Sequence, residues 1–71
     1  SNLYLAGAFL RNSSFSQRQL MNANFSGAEL TDARFDKANL INVDFSDAFM
    51  IRTNLSAAIL NGARFDRALV R

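Results

Sequence analysis

A period of five residues runs through the whole chain. Every fifth residue from position 5 to position 70 is large and apolar, and no insertion or deletion breaks the register. An α-helix turns by about 500° in five residues, so these positions would spiral around it and leave no apolar stripe. A continuous strand would send them alternately to opposite faces. We call these positions centres; they are Leu5, Leu10, Phe15, Leu20, Phe25, Leu30, Phe35, Leu40, Phe45, Met50, Leu55, Leu60, Phe65 and Val70.

The other positions of the five predict short extended pieces joined by turns. Two residues before the centre, nine of the fourteen positions are Ala. Residues two apart on an extended piece point the same way, so this small residue is predicted to face inward with the centre. After the centre come two corner residues, commonly Ser, Thr, Asp, Asn or Gly, which favour turns. A chain that turns the same way in every five residues coils into a solenoid.

The stretch GAEL-TDARF-DKANL-INVDF-SDAFM resembles the pentapeptide-repeat family, and the resemblance covers essentially the whole chain. It implies an all-β fold, a right-handed quadrilateral β-helix with about three and a half coils of 20 residues. Residues twenty apart then stack on the same side. The four sides have these centres: side A, Leu5, Phe25, Phe45 and Phe65; side B, Leu10, Leu30, Met50 and Val70; side C, Phe15, Phe35 and Leu55; side D, Leu20, Leu40 and Leu60.

All centres from residue 10 to residue 65 are predicted to form the core. The phenylalanines of sides A and C are predicted to stack in two ladders, over residues 25, 45 and 65 and over residues 15 and 35. Arg18 breaks the rule because it occupies an inward small position. Burying a lone guanidinium is very costly, so the sequence predicts either a local bulge or an Arg18 side chain that escapes to solvent.

Residues 1–71 are predicted to be a single solenoid segment without a cap at either end. Repeat proteins need capped ends. The sequence therefore predicts a segment of a longer chain, or a partner or flanking domain that covers the solenoid ends. A homo-oligomer is a further alternative.

The outer surface is where function is predicted to lie, because the core pattern is generic. Sides A and C, with residues such as Ser46 and Arg34, are interpreted as ordinary solvated faces. In SGAELTDARFDKANL, only Glu29, Arg34, Asn39 and the corner residues are free for another role. Sides B and D carry outward apolar residues in columns, which is typical of contact surfaces when they form a patch. The candidate protein contacts are Phe9, Met21, Ile41, Phe49, Ile51, Ile59 and Leu69.

Composition gives no sign of catalysis. The chain has no His and no Cys, so the commonest general base and the thiolate ligands are missing. No cofactor, metal site or enzyme activity is predicted, and each Asp or Glu is interpreted as a turn former or solvated side chain. The net charge is only +2, and an acidic middle region argues against a continuous nucleic-acid footprint. No apolar run approaches the ~20 residues of a membrane span, so a soluble protein is expected.

The sequence thus favours a non-catalytic structural or protein-binding solenoid that presents flat β faces to a protein partner or neighbouring domain. The alternative, implied by the resemblance alone, is a DNA-mimicking topoisomerase inhibitor or protector that binds gyrase. Such inhibitors are long acidic rods, whereas this chain is short and slightly basic. The resemblance also implies a bacterial cytoplasm or a plastid compartment such as the thylakoid, without choosing between them.

Overall fold

The computed structural model describes residues 2–71, which form a right-handed quadrilateral β-helix. Single-residue parallel bridges join residues twenty apart, as in the column Asn24↔Asp44↔Arg64. The bridges lengthen into two short strands, β1 (Phe49–Met50) and β2 (Leu69–Val70), which pair in parallel with Phe49 opposite Leu69. The predicted four-sided coil of twenty residues is confirmed.

A left-handed corner explains why the coil turns after every centre. Two corner residues follow each centre, and from residue 7 to residue 67 the second of the two always has a φ between 56° and 75°. The amide of the following residue donates to the carbonyl of the centre, for example from Ala33 to Leu30 at 3.0 Å. A positive φ at the third residue of such a turn is the signature of a type II turn. Gly and Asn adopt it readily, which explains their frequency here.

Backbone hydrogen bonds between coils run in a fixed pattern on each side. The amide of Leu30, a centre, donates to the Phe49 carbonyl of the next coil at 2.7 Å. The corner amide of Asp32 donates in the same direction to Ile51 at 2.9 Å, whereas Phe49 donates back to Ala28 at 2.9 Å. On each side, two amides therefore donate to the following coil for every one that donates to the preceding coil.

The core is best buried in the middle coils. Two parallel phenylalanine ladders occupy it, confirming the prediction: Phe25 stacks on Phe45 at 5.5 Å, Phe45 on Phe65 at 5.3 Å and Phe15 on Phe35 at 5.1 Å, measured between ring centroids. The ladders meet edge to face, with Phe25 and Phe35 at 87°. The buried centres are Leu20, Phe25, Leu30, Phe35, Leu40, Phe45 and Met50.

The remaining centres have a neighbouring coil on one side alone and are less buried, although Leu20, which is in the same situation, is still only 8% exposed. They include Leu10, Phe15, Leu55, Leu60 and Phe65. Val70 is still more open, at 55% exposure. Burial of a centre thus depends on its coil as well as on its position in the five.

Arg18 escapes to solvent and does not cause a bulge. Its side chain is exposed. Its amide donates to Phe15 at 3.3 Å and its carbonyl accepts from Asn39 at 2.9 Å, so the backbone keeps the regular pattern. Arg18 belongs to the first coil, and no earlier coil of residues 2–71 covers it. The guanidinium therefore reaches water without disturbing the register.

Gly62→Ala is expected to destabilise the fold more than Gly7→Ala. Both glycines have a positive φ, 75° and 72°, so alanine pays about 1–2 kcal/mol for the left-handed conformation at either place. A Cβ at Gly62 would overlap Asn42 Oδ1, whereas a Cβ at Gly7 meets nothing within 4 Å. Thermal unfolding of both variants measures the difference, and equal losses would show that the Asn42 amide moves aside freely.

Candidate functional site

The outward residue immediately before each centre lies in the middle of a side, and on side B it is often apolar. Phe9 is 91% exposed and Phe49 is 48% exposed. Glu29 lies between them in the same column, with Phe49 paired to Glu29 and Phe9 paired to Glu29 by bridges. Ile51 and Leu69 are half-buried. Side B therefore presents two phenylalanine rings separated by one polar side chain.

Side D is also partly apolar, but its apolar residues are less open than Phe9. Met21 and Ile59 are exposed, at 45% and 47%, and Ile41 is half-buried. The middle of the side is an amide ladder in which Asn39 Nδ2 donates to Gln19 Oε1 at 3.1 Å. The candidate contacts thus divide into an aromatic set on side B and a mixed amide and aliphatic set on side D.

Polar outward residues have a structural role that sequence reasoning missed. The side-chain oxygen of the outward residue accepts from the amide of the first corner residue, two positions later. Glu29 caps Thr31 at 2.9 Å, Asn39 caps Ile41 at 3.2 Å and Asp44 caps Ser46 at 2.8 Å. The expectation that Glu29 and Asn39 are free for another role is therefore wrong.

Two residues expected at the surface are buried. Thr31 is 4% exposed and Ser46 is 7% exposed. Both are first corner residues of middle coils, so side chains of the coils before and after them stack on both sides. The interpretation of side A as an ordinary solvated face is wrong at Ser46 for this reason.

The same cap is absent wherever the outward residue has no short acceptor. On side B, Phe9 and Phe49 stand where Glu29 stands in the coil between them. The amides of Arg11 and Ile51 consequently have no hydrogen-bond acceptor among residues 2–71. We call a backbone amide without an acceptor an open amide. Comparable open amides occur on other sides, but only these two lie two residues after an exposed phenylalanine. An apolar residue at the outward position is the sequence signal that could have revealed them.

All six carboxylates of the chain are engaged in the structure. Across coils, Arg52 pairs with Asp32 through Nε and Oδ1 at 2.7 Å, and Arg67 pairs with Asp47 at 2.9 Å. Within a coil, Arg34 pairs with Asp36 at 3.2 Å, and Arg64 pairs with Asp66. The other two, Glu29 and Asp44, cap amides. Residues 2–71 therefore show no column of unpaired carboxylates.

Hydrogen-bond partners lower the pKa of four of these carboxyls, those of Glu29, Asp32, Asp36 and Asp44. Hydrogen bonds from Arg52 hold the pKa of Asp32 below its ordinary value of 3.8. For Asp36, the hydrogen bond from Ser16 is the main cause of the lowered pKa, and Arg34 adds to it.

Acid is expected to destabilise the solenoid through these groups. Because the folded pKa values are depressed, the stabilising contribution is complete above the ordinary aspartate pKa and is lost as the pH falls through the folded values. Thermal midpoints measured from about pH 7 to pH 2.5 should fall across the acid range, and Asp32→Asn should flatten that fall. An unchanged pH profile in Asp32→Asn would contradict this assignment.

Within residues 2–71 there is no pocket, and no three acidic side chains cluster so as to hold a metal ion. None of the same residues form a helix with the length and apolar character that a bilayer crossing requires.

Comparison with known proteins identifies the repeat. The family model described as pentapeptide repeats matches residues 1–36 and 19–56, with eight copies. No curated protein matches the chain.

Solved structures share the fold. A pentapeptide repeat protein from the thylakoid lumen of Arabidopsis thaliana has a TM-score of 0.64 and 26% identity over 96% of this chain. HetL, involved in heterocyst differentiation regulation in the cyanobacterium Nostoc, has a TM-score of 0.57 and 25% identity over 93%. Rfr23 from the cyanobacterium Cyanothece has a TM-score of 0.53 and 28% identity over 100%. This chain spans 58%, 35% and 52% of those three chains.

Proposed function

Because the chain belongs to the pentapeptide-repeat family, we propose that it serves as a non-catalytic, rigid binding module that presents side B to a protein partner. The observation that supports this most is the exposure of Phe9, at 91%, in the same column as the half-exposed Phe49. Aromatic side chains on a rigid support are preferred anchors of protein interfaces. The cross-coil ladder fixes their spacing, so little order is lost on binding.

Side B is a better contact candidate than side D. Side D places its polar amides, Gln19 and Asn39, in its middle and leaves Ile41 half-buried. Side B offers aromatic rings in that middle position in two coils. We therefore assign Phe9, Phe49, Ile51 and Leu69 to the proposed contact, and Met21, Ile41 and Ile59 to a secondary surface.

Substitution of Phe49 with lysine is expected to abolish capture of the partner from native cell extract by the immobilised chain. Ile59→Lys on side D is the matched control, because Ile59 is 47% exposed and Phe49 is 48% exposed. Ile59→Lys should leave capture unchanged. If both variants capture the partner as the wild type does, side B is not the contact face.

The charges do not support the alternative function, a gyrase inhibitor that mimics DNA. A DNA mimic needs carboxylates that are free to meet the basic groups of the enzyme. Four of the six carboxylates here are paired with arginine and two cap amides. Inhibition in a gyrase supercoiling assay by the purified chain would reverse this ranking.

We also propose that further polypeptide covers the ends of the solenoid, from the same chain or a neighbouring domain. The partly buried Leu55, Leu60 and Phe65 at one end and Leu5 and Leu10 at the other support this. Each would gain burial from one more coil or cap. A higher thermal midpoint in a version extended by native flanking sequence would support the proposal, and an unchanged midpoint would contradict it.

A further inference from the structure

We propose that side B binds an acidic amphipathic helix of the partner protein, and that two carboxylates of this helix cap the open amides of Arg11 and Ile51. This inference rests on the proposed function, because it needs side B as the contact face. It adds the chemistry of the occupant, which exposure of Phe9 and Phe49 does not specify.

The chain itself shows what fits an amide at this position. In the coil between the two open amides, the Glu29 carboxylate accepts from Thr31 at 2.9 Å. On side A, the Asp44 carboxylate accepts from Ser46 at 2.8 Å. Arg11, Thr31 and Ile51 occupy equivalent positions in successive coils, so a carboxylate brought by a partner can make the same bond at the first and third. Hydrogen bonds to a charged acceptor are among the stronger ones in proteins.

The spacing of the two open amides selects a helix. Arg11 and Ile51 are two coils apart, or about 9.6 Å at a strand spacing of ~4.8 Å. Side chains seven residues apart on an α-helix lie on the same face and are separated by about 10.5 Å. Same-face residues of an extended strand recur at about 6.6 or 13 Å, which fits less well. Apolar residues between the two acids would then meet Phe9 and Phe49. Residues 2–71 contain no helix, so the helix that occupies side B comes from outside them.

The charge of side B favours an acidic partner. Arg11 and Arg71 have no ion-pair partner among residues 2–71, and both stand in the column of first corner residues. Asp32 is neutralised by Arg52, and the Glu29 carboxylate is turned onto the Thr31 amide. With Glu29 counted, the face carries a net charge of +1, and it offers two open amide donors around its aromatic rings. Contact with one helix is small, so a weak and transient complex is expected.

Hydrogen exchange tests the premise on the chain alone. The amides of Arg11 and Ile51 should exchange faster than the capped amide of Thr31. Equal protection of Ile51 and Thr31 would overturn the inference, because it would show that the Ile51 amide already has an acceptor.

A synthetic helix tests the ligand chemistry. The probe is a 15-residue peptide of Ala, Leu and Glu with two glutamates seven residues apart and leucines between them, and the control has glutamines at both places. We expect each glutamate to tighten binding about tenfold relative to the glutamine in the control peptide. This factor corresponds to the low end of the free energy of a hydrogen bond to a charged group. It should also shift the amide resonances of Arg11 and Ile51 but not that of Thr31.

Variants of the chain separate this inference from the proposed function. Phe49→Asn supplies its own cap, as Asn54 does for Ser56 at 2.9 Å, and should lose most binding of the glutamate peptide. Phe49→Leu keeps an apolar residue without a cap and should retain it. Equal affinity of the glutamate and glutamine peptides, or absence of binding by both, would overturn the acidic helix. The proposed function would still stand if Phe49→Lys alone abolished capture of the native partner.

Discussion

Replacement of Phe45 with alanine is expected to remove most of the stability of the fold. The Phe45 ring is fully buried, stacks on Phe25 and Phe65, and meets the edge of Phe35 at 5.4 Å. Removal of a buried phenylalanine ring costs about 3–5 kcal/mol. Below about 70–80 residues a single core rarely supplies more than about 3–5 kcal/mol of stability, so most of the total is at risk. Chemical denaturation followed by circular dichroism measures the change in the free energy of unfolding.

Two other phenylalanines provide matched controls for this measurement. Phe9→Ala removes an identical ring that is 91% exposed, and its effect on the free energy of unfolding should stay within about 0.5 kcal/mol. Phe65→Ala removes a partly buried ring at the end of the same ladder and should give an intermediate loss. Similar losses in Phe9→Ala and Phe45→Ala would contradict the assignment of the core.

Ala38→Arg is expected to prevent folding altogether. Ala38 lies one coil above Arg18 in the same column and is fully buried. In the middle of the stack the guanidinium cannot reach water as Arg18 does, and an unpaired buried charge is among the few changes that cost more than about 4 kcal/mol. Circular dichroism and gel filtration should show an unfolded or aggregated chain.

The reciprocal variant Arg18→Ala tests the same explanation from the other side. Alanine is the commonest residue at this position and the Arg18 side chain is already in solvent. The thermal midpoint should therefore stay the same or rise slightly. A folded Ala38→Arg protein, or a large loss of stability in Arg18→Ala, would show that the position tolerates or needs arginine for another reason.

The sequence was sufficient for a solenoid because the period of five leaves few alternatives, but its four sides were implied only by the resemblance to the pentapeptide-repeat family. It predicted the inward direction of residues such as Phe35 and Ala33, and the two phenylalanine ladders. It could not predict how much of each centre is buried, because Leu55 and Leu30 have the same local pattern and differ only in the coils around them.

The surface was predicted less completely. The candidate contacts on sides B and D follow from alternation, but the caps made by Glu29 and Asn39 depend on side-chain conformation. The pairing of Asp32 with Arg52 depends on residues twenty apart having side chains of suitable length. Without these contacts, the polar residues of SGAELTDARFDKANL appeared unused, and the open amides beside Phe9 and Phe49 could not be recognised.

Twice as many amides donate to the following coil as to the preceding one, and this imbalance gives the molecule an electric dipole along its axis. N–H groups point mainly toward the C-terminal coil, which makes that end partially positive and the N-terminal end partially negative. This is the reverse of an α-helix, whose N terminus is the positive end. The last coil also carries Arg52, Arg64, Arg67 and Arg71 against a single Asp66, so side-chain charge adds to the backbone field there. An approaching acidic molecule is therefore drawn toward one end and oriented before it touches the surface.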